Sequence, residues 1–74
     1  MAEIKGYAKY ITEDLKALRL TADVAQVEAW MRLEHGTLGS LSPRRFRAEV
    51  KLAVECIVAS TPEQNANLTK SFGL

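Results

Sequence analysis

The sequence predicts an all-α fold, a small three-helix bundle with a short C-terminal fourth helix or ordered tail. Apolar residues recur at spacings of three and four along three segments. In addition, the pairs Ser42-Pro43 and Thr61-Pro62 are typical helix starts, because serine and threonine cap helices and proline fits the first helical position. We expect a single domain, residues 1–74, with helices at about 7–19, 22–35, 43–60 and 62–72.

The first segment carries one apolar face at helical spacing, formed by Ala8, Ile11, Leu15 and Leu18. Gly6 marks its start, because glycine inside a helix costs about 1 kcal/mol relative to alanine. The end of this segment has a competing interpretation as a strand. The residues that alternate there are Leu18, Leu20, Ala22 and Val24. A strand would need a partner, and no second β-rich segment offers one, so we favour the helix.

The second segment has a wide apolar arc formed by Val24, Val27, Trp30, Met31 and Leu33. Thr21 and Asp23 are both candidate N-caps, and Gly36 is suited to end the helix. We expect a three-helix bundle to leave part of the arc uncovered, and such a remainder is a contact patch. The candidate apolar contact residues are Trp30, Met31 and Leu33.

The third and fourth helices have the clearest start signals. Ser42 is the expected cap of the third helix, and Thr61 with Gln64 has the spacing of a capping box at the fourth. The expected core consists of Ile11, Leu15, Leu18, Val24, Val27, Trp30, Phe46, Val50, Val54 and Ile57. The residues expected to close its ends are Leu41, Leu68 and Phe72.

A basic cluster opens the third helix and is the candidate contact for an anion or a partner. Its members are Arg44, Arg45, Arg47 and Lys51. Cations in a first helical turn oppose the helix dipole by about 0.3–1 kcal/mol each. One interpretation is an anion site made of arginines and backbone N–H groups.

The other interpretation of the basic cluster is a solvated face of ion pairs, which we favour because charge runs on surfaces are common. Arg45 would pair with Glu49, and Lys51 with Glu55. The acidic residues of the second segment that would pair with the remaining cations are Glu28 and Glu34.

Catalytic chemistry has little support in the sequence. Cys56 would need a base and an orienting group to act as a nucleophile. His35 is the one imidazole and lies at the end of a different helix. We expect Cys56 to be a small buried hydrophobic residue. With no glycine-rich phosphate loop and no metal-ligand spacing, we expect no enzyme activity, no cofactor and no metal.

The function we expect is a small non-enzymatic protein–protein interaction module or adaptor, with self-association as a homodimer as one form. A length of 74 residues excludes a two-domain enzyme, and a net charge of +1 excludes a strongly basic nucleic-acid arm. The alternative is a nucleic-acid-binding or regulatory domain that uses the basic cluster. It is less favoured, because the link at 36–41 is too long for a helix-turn-helix. The single cysteine and the lack of a long apolar run predict a cytoplasmic protein without a membrane partner.

Overall fold

Four helices joined by short links form the chain between residues 6 and 72, which are the residues that the computed structural model describes. They are α1 (Tyr7–Leu18), α2 (Val24–His35), α3 (Pro43–Ala59) and α4 (Pro62–Ser71). No strand occurs within that range, so the alternating stretch after α1 does not form one. The predicted all-α fold with a short fourth helix is confirmed.

The starts of α3 and α4 follow their cap signals. The Ser42 hydroxyl accepts a hydrogen bond of 3.2 Å from the backbone N–H of Arg45. At α4, the Thr61 hydroxyl accepts from the N–H of Gln64, and the Gln64 side chain accepts from the N–H of Thr61. Both helices have proline at the first position, where no helical hydrogen bond is lost. These local bonds satisfy N–H groups that would otherwise lack a partner.

The start of α2 resolves the choice between two candidate caps. Asp23 accepts a hydrogen bond of 2.9 Å from the backbone N–H of Ala25, so Asp23 is the cap and Thr21 is not. The helix therefore begins at Val24, two residues later than the predicted start at 22. At its other end, Gly36 has a φ of 72°, a conformation that glycine adopts at little cost.

The end of α1 depends on an unusual backbone conformation. Arg19 has a φ of 58°, in the left-handed region that L-residues rarely occupy. Its N–H donates to the carbonyl of Lys16, and the N–H of Leu20 donates to the carbonyl of Leu15 at 2.8 Å. This hydrogen-bond pattern is a Schellman motif, which normally has glycine at the left-handed position. It turns the chain sharply and directs Leu20 against the core.

Helix α2 lies at the centre of the fold and packs against each of the other three helices, while α1 also packs against α3. Two contacts show that α2 and α3 run antiparallel. His35, at the end of α2, lies beside Glu49 near the start of α3. Trp30, farther back on α2, hydrogen-bonds Asn65, which in turn hydrogen-bonds the carbonyl of Ile57 near the end of α3.

The core agrees with most of the predicted set. Seven of its predicted residues are buried, namely Ile11, Leu15, Val27, Leu41, Phe46, Val50 and Val54. Four others pack against them half-buried, namely Leu18, Val24, Trp30 and Ile57. The prediction left out Leu38, which is 0% exposed although it lies in the link between α2 and α3. It was wrong for Phe72, which follows the last residue of α4 and stays 38% exposed.

Candidate functional site

An apolar groove of about 230 Å³ runs between α2 and α3. Trp30, Leu33 and Glu34 line it from α2, and Glu49, Leu52 and Cys56 line it from α3, so two carboxylates accompany its apolar side chains. Beneath the groove, core side chains pack the two helices together. Apolar grooves with few polar groups are a usual form of binding site for another molecule.

The two leucines of the groove are among the most exposed apolar side chains of the protein. Leu33 is 59% exposed and Leu52 is 52% exposed. His35 of α2 lies beside Glu49 of α3. Because the two helices run antiparallel with equal rises per residue, Leu33 lies within about 1.5 Å of the level of Leu52 along the helix axis. The groove therefore has one exposed leucine on each side at the same height.

Met31 occupies a different place from the predicted one. The sequence assigned it to the contact surface with Trp30 and Leu33, but it is only 1% exposed. It belongs to the core and forms the floor of the groove. Positions 31 and 33 differ by about 200° around a helix, so one faces inward when the other faces outward.

Trp30 is a half-buried wall of the groove rather than a central core residue. Its indole N–H donates a hydrogen bond of 3.0 Å to the side-chain carbonyl of Asn65 on α4. The Asn65 side-chain amide donates to the carbonyl of Ile57 at 3.3 Å. These bonds fix the orientation of the indole ring. The sequence contains no local signal for this pairing, because the two residues are 35 positions apart.

Cys56 and His35 are not brought together. Cys56 is exposed, so the expectation of a buried cysteine was wrong. It lies on the groove side of α3, about 100° from the neighbouring core position Ile57. The His35 ring contacts the Glu49 carboxylate at 2.7 Å, about 10 Å along the helix axis from the level of Cys56. This arrangement keeps the imidazole of His35 away from Cys56.

The basic cluster divides into two parts. Arg47 donates from Nε to Oδ1 of Asp14 at 3.4 Å, and this carboxylate on α1 is buried. The other three cations, Arg44, Arg45 and Lys51, are exposed. Within residues 6–72 they make no ion pair. The cluster therefore presents three charges to the solvent and uses one to hold α1 against α3.

The ion pairs predicted for the basic cluster do not form. Glu49 pairs with His35 instead of Arg45, because the antiparallel packing of α2 brings the imidazole to it. Glu28 is buried and pairs with Arg32 on its own helix at 3.1 Å. The pair of Lys51 with Glu55 is also absent from the described part of the chain, as is any pair of Glu34.

A second hollow, of about 330 Å³, lies between α1 and the start of α3. Tyr10 and Phe46 line it with their rings at 63° and 6.2 Å between centroids. The Asp14–Arg47 ion pair forms its polar side. Arg47 already pairs with the buried Asp14 carboxylate, so the pair is not left open for a ligand.

Residues 6–72 contain neither a cluster of metal-ligating side chains nor a membrane-spanning helix. That range contains no group of three or more His, Cys, Asp or Glu side chains placed to hold a metal ion. None of its four helices has the length and apolar character that crossing a bilayer requires. Comparison with protein-family models, curated proteins and solved structures gives no match.

Proposed function

We propose that this chain is a non-enzymatic protein–protein interaction module, and that its contact surface is the groove between α2 and α3. The observation that carries the proposal is the pair of exposed leucines, Leu33 and Leu52, facing each other across the groove. Burying a leucine side chain completely stabilises a complex by about 1.5–3 kcal/mol. Because each leucine is already about half covered, a partner that covers both gains part of this free energy from each.

The shape of the groove favours a partner that presents a helical surface to it. Two antiparallel helices at packing distance leave a furrow, and side chains at spacings of three and four on a facing helical surface can fill it. Trp30 supplies the large flat wall that dominates many such interfaces. Because Asn65 holds its indole N–H, the ring is oriented before a partner binds.

Site-specific photo-crosslinking in the cell that makes the protein tests this proposal. A photoreactive amino acid at Leu33 or Leu52 is expected to form a protein adduct, because both side chains would lie against the partner. The matched control is Ala8, which is exposed on α1 outside both hollows. Equal adduct formation at Leu52 and Ala8, or none at either leucine, would contradict the proposal.

A nucleic-acid-binding or regulatory role remains the second candidate, because Arg44, Arg45 and Lys51 are exposed and carry no ion pair within residues 6–72. Three phosphate contacts predict an affinity for duplex DNA that falls with salt at a logarithmic slope of about −3. Retention on heparin and on duplex DNA at low salt measures it. The Arg45→Glu variant is expected to lower that retention, and an elution position independent of salt would exclude this role.

A further inference from the structure

We propose that the partner in the α2–α3 groove is a second copy of this chain, packed antiparallel about a two-fold axis that passes near Leu52. This inference rests on the proposed function and names the occupant of the same surface. In such a dimer α3 lies against α3 of the second copy and α2 against its counterpart, which makes a four-helix arrangement of two α2–α3 pairs.

The level of the two leucines makes the surface compatible with its own copy. An axis perpendicular to the helices at the height of Leu52 passes within about 1.5 Å of the height of Leu33 on α2. Each leucine then meets the same residue of the second copy. A single two-fold operation therefore buries four exposed leucines, two from each chain, together with both Trp30 walls.

The charges of α3 select the antiparallel orientation. Arg44 and Arg45 lie in its first turn, and Glu55 lies in its C-terminal half; none of the three has an ion pair within the described residues. In the antiparallel dimer the axis at Leu52 sets Arg45 about 6 Å along the helix from Glu55 of the second copy, within reach of an arginine side chain. Lys51 comes still nearer to the same carboxylate.

The backbone dipole of α3 agrees with this orientation. The helix has no acidic residue in its first turn and no basic residue in its last turn. Its charged side chains therefore do not offset the backbone partial charges at its two ends. In the antiparallel dimer the positive side chains of one first turn lie beside the negative C-terminal end of the other helix. A parallel dimer would instead place Arg44 and Arg45 against the same residues of the second copy, where they repel.

Sedimentation equilibrium of the full chain over a range of concentrations is the first test. We expect a reversible monomer–dimer equilibrium. Leu52→Lys is expected to raise the dissociation constant at least about tenfold, because it places two ammonium groups at the axis. The control Ala8→Lys adds the same charge on an exposed α1 position and is expected to leave the equilibrium unchanged. Circular dichroism is expected to show the same helix content in both variants, which would exclude unfolding as the cause of a weaker dimer.

A charge exchange tests the pairing of α3 with itself. Arg45→Glu and Glu55→Arg are each expected to raise the dissociation constant, because each single variant places like charges together across the axis. The double variant restores opposite charges and is expected to return the dissociation constant to within about threefold of the original. No recovery in the double variant would overturn the antiparallel arrangement.

A crosslink test separates the two orientations independently. Ala48 and Cys56 are both exposed and lie one turn on either side of Leu52. In an Ala48→Cys variant the antiparallel dimer forms a disulfide between position 48 and Cys56 of the other chain, which peptide mass spectrometry identifies. Disulfides joining 48 to 48 and 56 to 56 would show a parallel dimer and overturn the proposal.

Sedimentation and photo-crosslinking together distinguish failure of this inference from failure of the proposed function. A strict monomer at all concentrations, together with adducts from Leu52 to a different protein or to a nucleic acid, would overturn the second copy as the occupant. Adducts to a different protein would leave the interaction module in place. A monomer without any adduct at Leu33 or Leu52 would overturn both.

Discussion

The indole N–H of Trp30 on α2 is bonded to the side-chain carbonyl of Asn65 on α4, and this bond at 3.0 Å is the structural link between the centre of the bundle and its last helix. Asn65 is 7% exposed and has a second bond to the carbonyl of Ile57. A buried polar group on a short helix is stable only when its hydrogen bonds are made. Asn65 therefore positions α4 on the rest of the fold.

Asn65→Ala is expected to lower the free energy of unfolding by about 1–3 kcal/mol, because it leaves the Trp30 N–H without its acceptor. It also removes one of two hydrogen bonds to the Ile57 carbonyl, which still accepts from the Ser60 N–H. The control is Asn67→Ala on the exposed side of the same helix, which is expected to change stability by less than about 0.5 kcal/mol. Urea unfolding followed by circular dichroism measures both. Equal effects in the two variants would show that the Asn65 bonds contribute nothing net.

Arg19→Gly is expected to stabilise the protein by about 0.5–1 kcal/mol. Arginine in the left-handed region costs about 1–2 kcal/mol, and glycine removes this strain. Part of the stabilisation is offset, because glycine loses more backbone entropy on folding than arginine does. The control is Lys16→Gly, three residues earlier inside α1, where the backbone is helical. It is expected to lower the free energy of unfolding by about 1 kcal/mol. Thermal unfolding measures the difference, and a loss of stability in Arg19→Gly would refute the assignment of strain to this position.

Leu38→Ala is expected to cost about 2–5 kcal/mol, because the side chain is 0% exposed and its removal leaves a cavity in the core. The same substitution at Leu33, which is 59% exposed, is expected to cost less than about 1 kcal/mol. Chemical denaturation of the monomeric protein compares the two. Equal losses would mean that Leu33 serves folding, and the groove would lose its main feature as a contact surface.

Arg47→Ala is expected to cost about 1–2 kcal/mol, because it removes the partner of the buried Asp14 carboxylate. This loss of unfolding free energy is smaller than for a fully buried ion pair, because the Arg47 side chain is 59% exposed. Arg44→Ala, on an exposed arginine without an ion pair in the described range, is expected to be nearly neutral. If the two variants have the same free energy of unfolding, the Asp14–Arg47 ion pair makes no net contribution to stability.

Local signals predicted the helices well. The caps at Ser42 and Thr61 involve atoms within three residues of one another, so their geometry follows from the nearby sequence. The end of α1 was harder to predict from the sequence. Nothing near Arg19 marks it as left-handed, because the motif depends on Leu20 turning back onto a core that only the complete bundle supplies.

The candidate site was predicted only in part. Trp30 and Leu33 were assigned to the contact surface, but Leu52 and Cys56 were not, because their exposure depends on how α3 is rotated against α2. The ion pairs were misassigned for a related reason. Residues four apart on one helix were expected to pair, whereas Glu49 instead bonds a residue 14 positions away.

The place of Trp30 makes it an optical reporter of two separate events. It is the single tryptophan of the chain, so all indole fluorescence comes from one ring. Release of α4 would break the bond to Asn65 and expose the ring to water, which shifts its emission to longer wavelength. Occupation of the groove would cover the other side of the ring and shift the emission to shorter wavelength. The unlabelled protein thus signals loss of its last helix and arrival of its partner with opposite changes in colour.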